Sequence, residues 1–164
     1  MEFYTHSEMV ADLEKINRSI AISGWKPNAI LGISRGGLIP AVHLSHYWDV
    51  PLETCQVSLR DEKHIDRTNK LMPLTIFNLL EMSKNILVVD DICDSGKTFE
   101  YIYNYYAKFW CDNEYAKTLM FKHFKTAALI HNEGQNVFQT DYYGKKINKY
   151  EDDTWINFPW EFSY

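Results

Sequence analysis

The 164-residue sequence predicts an α/β fold, a parallel sheet with helices packed on both faces. Short β-branched apolar runs alternate with stretches of helical period. Two of those runs, residues 28–33 and 86–89, lead into glycine-containing loops, and each loop opens into a helical segment. In such sheets ligands bind beyond the carboxyl ends of the strands, the edge at which both loops fall.

Each element has its own signal. Thr5 and Glu8 have the spacing of a capping box. Met9, Leu13, Ile16 and Ile20 then recur at steps of three and four, which predicts an amphipathic helix ended by Gly24 and Pro27. Asn28 to Ile33 reads as a buried strand that stops at Ser34-Arg35-Gly36-Gly37. Residues 38–48 form a second helix, closed by Pro51, and 52–59 a further strand. Residues 60–70 are almost wholly polar without apolar period, and a mobile loop is expected. A short helix is expected over 73–83. Ile86-Leu87-Val88-Val89 is the strongest strand signal, and a long aromatic helix follows over 98–110. Ala127 to Ile130 is another buried strand, and Asp141 to Tyr164 mixes turn signals with tryptophans.

Length and composition narrow the class. With 46% hydrophobic and 24% charged residues the chain is globular, and residues 1–164 are expected to form a single domain. No apolar stretch reaches the 18 residues or so of a membrane span. The amino-terminal segment is acidic and polar where a signal peptide is basic and then apolar, so a cytoplasmic location is expected. A net charge of −5 argues against a nucleic-acid partner. It does not forbid a phosphate ligand, which backbone N–H groups can hold. Cys55, Cys93 and Cys111 lack CxxC spacing and are expected to be free thiols rather than zinc ligands.

The chemistry concentrates in residues 86–98. Four buried β residues run into Asp90 and Asp91; Asp94 follows, then Ser95-Gly96-Lys97-Thr98 at the mouth of a helix. The last four residues offer consecutive N–H groups and a hydroxyl, with Gly96 allowing close approach of an anion. Three carboxylates beside a phosphate cradle are costly unless they bind something else. Sugar hydroxyls and a divalent cation would satisfy them, so the implied ligand is a phosphorylated ribose with Mg²⁺. A Walker A loop needs glycine five residues before Gly96, and that position is Asp91. An ordinary helix cap at Asp94 or Ser95 leaves Asp90 and Asp91 unexplained.

The stretch Val88 to Thr98, VVDDICDSGKT, resembles the phosphoribosyl-pyrophosphate (PRPP) motif of type I phosphoribosyltransferases. Gly32-Ile33-Ser34-Arg35-Gly36-Gly37-Leu38-Ile39-Pro40 resembles the family's pyrophosphate loop. Asp153-Thr154-Trp155-Ile156-Asn157-Phe158-Pro159-Trp160-Glu161 resembles the carboxy-terminal signature of the small 6-oxopurine members, the xanthine-guanine and hypoxanthine types. The three motifs lie in family order between residues 32 and 161. The resemblance implies the family fold: a parallel sheet with flanking helices, a flexible loop and a small carboxy-terminal hood.

It also implies a role for each matching residue. Asp90 and Asp91 would hold the ribose hydroxyls, directly or through Mg²⁺. Ser95, Gly96, Lys97 and Thr98 would wrap the 5′-phosphate, and Asp94 would be the catalytic base or, alternatively, would only orient the loop. Ser34, Arg35, Gly36 and Gly37 would bind pyrophosphate, with a cis peptide often present at the Ser34–Arg35 position in relatives. Trp155 would stack on the purine and the Ile156 backbone would meet its 2-position edge, while Phe158 and Trp160 are expected in the core. Relatives carry a lysine near the end of the strand at 127–131 that donates to the purine 6-oxo group; His131 stands there in this sequence, which opens the base preference. Arg60 and Arg67 are candidates to clamp pyrophosphate from the polar loop.

The implied activity is purine salvage: transfer of the 5-phosphoribosyl group from PRPP to guanine, xanthine or hypoxanthine, with release of pyrophosphate. PRPP and a purine are the expected partners, Mg²⁺ the expected cofactor, and a homo-oligomer, dimer or tetramer, the expected assembly. A PRPP- or nucleotide-sensing regulator on the same fold is the alternative, as is transfer to another base. His43 and His46, three apart on a helix, have no acidic or thiol partner and are expected at its surface.

Overall fold

The computed structural model describes residues 2–57, 72–110, 114–134, 137–152 and 154–161. Its centre is a five-stranded, all-parallel sheet formed by β2 (Ala29–Ser34), β3 (Leu52–Gln56), β4 (Ile86–Cys93), β5 (Phe124–Asn132) and β6 (Tyr142–Ile147), in the order β3-β2-β4-β5-β6. After β2 the chain moves to one side to build β3; β4 then returns to the other side of β2. The topological switch point therefore lies between the carboxyl ends of β2 and β4, where such sheets bind ligands.

Helices α1 (His6–Ser23) and α2 (Leu38–Trp48) cover one face, and α3 (Leu74–Glu81), α4 (Lys97–Trp110) and α5 (Glu114–His123) the other. Helix α1 starts as its sequence dictates. Thr5 Oγ1 accepts from the Glu8 N–H at 3.2 Å and Glu8 Oε2 accepts from the Thr5 N–H at 2.7 Å. Its apolar stripe, Met9, Leu13, Ile16 and Ile20, packs on Leu87, Val89 and Leu129. Ile76, Leu80, Ile102 and Tyr106 pack on Val88 and Ala128 from the opposite side. Strands sandwiched this way bury both faces, which is why they read as unbroken apolar runs.

Several elements depart from expectation. β4 does not stop at Val89 but continues to Cys93, because the ladder to β5 carries on through Ile92–Ile130 and Cys93–His131. Asp90 and Asp91 are thus strand residues, not loop residues. α5 and β6 have no counterpart in the sequence reading. β6 is an edge strand whose burial alternates and whose lysines, Lys145 and Lys146, sit on an otherwise short apolar segment, a pattern that blunts edges and weakens the strand signal. Residues 60–70 lie outside the described residues, as does Cys111; Cys55 and Cys93 are buried and not joined in a disulfide, and burial pushes the Cys55 thiol up to about 12.

A second, two-stranded sheet joins the chain's two ends. β1 (Glu2–Phe3) runs parallel to β7 (Ile156–Asn157), with the Glu2 N–H donating to the Trp155 carbonyl and the Tyr4 N–H to the Asn157 carbonyl, both at 2.9 Å. Tyr4 anchors the unit: its hydroxyl donates to the buried Asp12 carboxylate at 2.8 Å, and its ring meets Phe158 edge-on at 5.2 Å. This small unit sets the tail, and Trp155 with it, beside the switch point.

Candidate active site

The loop after β2 is shaped by lack of space. The Ser34–Arg35 peptide is cis. A Cβ on Gly36 would come within 1.8 Å of Asp91 Oδ2, and one on Gly37 within 2.5 Å of the Val89 carbonyl oxygen and 2.7 Å of that of Ile33. Only glycines let this turn lie against the end of β4. Arg35 is exposed and Ser34 half-buried, both at the sheet's carboxyl edge.

At the end of β4 the Asp90 and Asp91 side chains meet. Asp90 lies on the side of Cys55, whose thiol feels its charge. Asp91 faces Gly36 and the tail, and is 9% exposed. Its Oδ1 accepts from the Ile92 N–H at 2.8 Å and its Oδ2 from the Trp160 indole N–H at 3.4 Å. Burial pushes its carboxyl above the usual carboxylate range; the Ile92 and Trp160 donors oppose that shift and the nearby Glu161 charge adds to it.

The turn that follows places Asp94 and then starts α4. Gly96 takes φ +77°, a left-handed conformation that glycine adopts freely, immediately before the first helical residue, Lys97. Asp94 is held on both carboxylate oxygens. Oδ1 accepts from Asn132 Nδ2 at 2.9 Å and Oδ2 from Lys149 Nζ at 2.9 Å. Asn132, at the end of β5 and 2% exposed, uses its amide oxygen to accept from the N–H groups of Gly134 and Lys149, each at 3.1 Å. One buried side chain therefore fixes three segments around Asp94, whose own side chain stays 48% exposed and open to a ligand.

Asp91, Ile92, Asp94 and Lys149 line one side of a concave pocket; Trp155 and Ile156, with Phe158 and Glu161, line the other. Trp155 is 52% exposed, as a stacking platform requires, and Lys149 Nζ stands 6.0 Å from its ring centre. The carbonyls of Trp155 and Asn157 face β1, so in the pleat the Ile156 carbonyl between them faces away from β1. Phe158 is buried in the core, as expected, and stacks at 5.0 Å on Trp160, which is only partly buried and packs against the core's edge.

The structure brings Asp91, Asp94, Trp155 and Ile156 together in the pocket, with the 34–37 loop and the 95–98 turn at the adjoining edge. It does not bring His131 there, which corrects the expectation of a purine contact. His131 is 1% exposed, its Nδ1 lies 3.0 Å from Thr140 Oγ1, and its ring stacks on Tyr143 at 5.4 Å. Strand alternation sends it to the face opposite Asn132, and burial lowers its pKa, with the Glu133 charge opposing, which favours a neutral ring in the packing. Arg60 and Arg67 lie outside the described residues. His43 and His46 are exposed on α2, and no group of three or more metal-ligating side chains converges among the described residues. Asn132 and Lys149 were not singled out by sequence: Asn132 adjoins a strand end that drew attention to His131, and Lys149 has no sequence spacing that ties it to Asp94.

The phosphoribosyl transferase domain family matches residues 2–164. Xanthine-guanine phosphoribosyltransferase of Cereibacter sphaeroides is 29% identical over 138 residues, covering 84% of this chain and 70% of its own. That of Idiomarina loihiensis is 26% identical over 162 residues, covering 98% and 87%. The crystal structure of a purine phosphoribosyltransferase from Pyrococcus horikoshii Ot3 superposes with a TM-score of 0.70 at 26% identity, covering 99% of this chain and 95% of that one. With a strand-loop-helix unit at the switch point and a match along nearly its whole length, this chain belongs to the phosphoribosyltransferase family, enzymes of glycosyl transfer.

Proposed function

We propose that the protein transfers the 5-phosphoribosyl group of PRPP to a 6-oxopurine, guanine, xanthine or hypoxanthine, in purine salvage. The observation that carries this reading is Asp94, fixed by Asn132 and Lys149 within one pocket with Trp155 and beside the phosphate turn. The bond from C1′ of the ribose to pyrophosphate breaks, a bond from C1′ to an imidazole nitrogen of the purine forms, and the proton of that nitrogen goes to Asp94. Residues 95–98 hold the 5′-phosphate through the N–H groups at the start of α4. Ser34, Arg35 and the N–H groups of Gly36 and Gly37 hold the departing pyrophosphate, whose growing negative charge they stabilise. Trp155 and Ile156 hold the base, and Arg60 and Arg67 are the proposed clamps on pyrophosphate.

Asp90 and Asp91 are the residues proposed to hold Mg²⁺. The donor set fits: a buried carboxylate, with Glu161 near enough to raise its pKa further, gains from a hard cation. When bound, the ion supplies charge neutralisation to the pyrophosphate. Buried thiols at Cys55 and Cys93 that form no disulfide suit a reducing compartment, and we place the reaction in the cytoplasm, with no nucleic-acid or membrane partner. We assign the working form to a homo-oligomer; the exposed Ile39, Val42 and Tyr47 on α2 support it.

The test is incubation with PRPP and Mg²⁺ and, separately, guanine, xanthine, hypoxanthine and adenine. Nucleoside monophosphate and equimolar pyrophosphate are expected with at least one oxopurine. Product with adenine alone would overturn the base assignment. No product with any base, in protein that binds PRPP, would overturn the enzyme reading in favour of a PRPP sensor.

A further inference from the structure

The connection from β5 to β6 is tied to the turn that starts α4. The Val137 N–H donates to the Ser95 carbonyl at 2.9 Å. On either side of Val137 the connection is fixed again: the Gly134 N–H donates to the Asn132 amide oxygen at 3.1 Å, and Thr140 Oγ1 lies 3.0 Å from His131 Nδ1. Phe138 seats it, its ring tilted against those of Phe99 and Tyr103 on α4, each at 6.2 Å. The Val137 side chain itself is 57% exposed, so what this residue gives the turn is its backbone donor.

That donor falls on one peptide unit, Ser95–Gly96. In a planar trans peptide the C=O and N–H point in opposite directions. With the Ser95 carbonyl turned to Val137, the Gly96 N–H points away from the connection. Such a unit can turn over by rotation about ψ of residue 95 and φ of residue 96, and glycine accepts φ of either sign; here it sits at +77°. Turned over, the unit would set a carbonyl oxygen where a donor now stands, and an oxygen repels a bound phosphate. The next peptide is fixed by the helix, since the Gly96 carbonyl accepts from the Glu100 N–H at 3.0 Å. The Ser95 carbonyl precedes the helix and has the Val137 bond in its place. Glycine thus lets the turn take either orientation, and Val137 selects one.

We propose that Val137 is a positioning residue for the 5′-phosphate: its backbone N–H holds the Ser95 carbonyl away from the ligand and keeps the Gly96 N–H aimed at the phosphate. A segment between two strands, which lends no side chain to the phosphate, thereby sets the polarity of the cradle. The inference rests on the purine-transfer reading above and states how one of its phosphate donors is held.

The experiment uses Val137→Pro, which removes the N–H, and Val137→Ala, which keeps it. Titration calorimetry gives the Kd of inosine monophosphate, and NMR titration that of inosine, which lacks the phosphate, for both variants and the wild type. Loss of one aligned donor to a charged acceptor predicts inosine monophosphate bound about 10- to 100-fold more weakly by Val137→Pro. Inosine should bind it within about twofold of the wild type, and Val137→Ala should keep the wild-type preference for the phosphorylated ligand. An unchanged affinity for inosine monophosphate in Val137→Pro, or an equal loss with both ligands, overturns the inference, because a purely structural tie would act on both alike. Should Val137→Pro fail to fold, amide exchange in the wild type decides. Phosphate and the Val137 bond favour the same orientation, so saturating inosine monophosphate should slow exchange of the Val137 amide about 10-fold relative to amides of α1, and inosine should not. Exchange at Val137 indifferent to the phosphate overturns the inference. If the wild type binds inosine monophosphate no better than inosine, the phosphate-turn reading fails by itself and the inference falls with it.

Discussion

The two loops at the switch point are shaped by opposite means. The loop after β2 presents backbone, and its shape follows from exclusion: side chains at 36 and 37 would run into Asp91 and into carbonyl oxygens of both neighbouring strands. The end of β4 and the turn beyond it present side chains, and their arrangement follows from charge: Asp91 is buried against Trp160, and Asp94 is shared between Asn132 and Lys149. The first kind of site is built locally and shows in a short motif. The second kind depends on partners from distant segments. It also carries a cost in stability, since a buried carboxylate with incomplete compensation resists folding.

That contrast can be broken at either loop. The largest effect is expected for Gly36→Ala, whose added Cβ would lie 1.8 Å from Asp91 Oδ2. The loop or the Asp91 side chain must shift, and a displacement of about 1 Å in either predicts a loss of PRPP affinity of about 100-fold, read by titration calorimetry. An unchanged affinity would show that the loop is not a pyrophosphate site.

Asp91→Asn should act in the opposite direction on stability. The folded Asp91 binds its proton more tightly than the unfolded chain does, so its burial costs nothing below the ordinary value of 3.8. The penalty grows as pH rises from there through the raised folded pKa and then stays constant. Asp91→Asn should therefore melt above the wild type at pH 7, with the difference closing as pH falls towards 3.8, while losing Mg²⁺-dependent PRPP binding. A lower melting temperature at pH 7 would contradict the buried-charge account.

His131 marks the boundary of the site and should give the smallest effect on catalysis. His131→Leu should leave purine KM within about twofold, as expected of a residue that does not touch the ligand. It should lower stability by about 1–3 kcal/mol, because Thr140 loses a buried partner. The wild-type contribution is fully present above the ordinary value of 6.5 and declines as pH falls from there through the lowered folded pKa. The melting difference between the two proteins should narrow over that window. A base-dependent rise in KM would return His131 to the pocket.

The same contrast explains what could be read from the sequence. The capping box, the four-residue stripe of α1, the run at 28–33 and the glycine loop are local patterns, and each appears in the structure with nearly its expected bounds. β4 ran four residues further than its apolar run, since pairing with β5 overrides the poor strand propensity of Asp90 and Asp91. β6 was hidden because an edge strand with two lysines lacks the buried strand's signature. Asn132 and Lys149 were hidden for another reason: their bonds to Asp94 span 38 and 55 residues, and no short motif records such a contact. His131 drew attention by position along the chain, but a step of one residue in a strand changes the face.

Asp94→Asn tests the division of labour most directly, with pyrophosphate release and PRPP binding measured on the same preparation. The substitution keeps the shape and one carbonyl oxygen but removes the proton acceptor. Turnover should fall by about 10²- to 10⁴-fold, the usual contribution of a positioned base, while the Kd of PRPP stays near the wild-type value. Full turnover in Asp94→Asn would contradict the account, and so would a loss of PRPP binding as large as the loss of turnover.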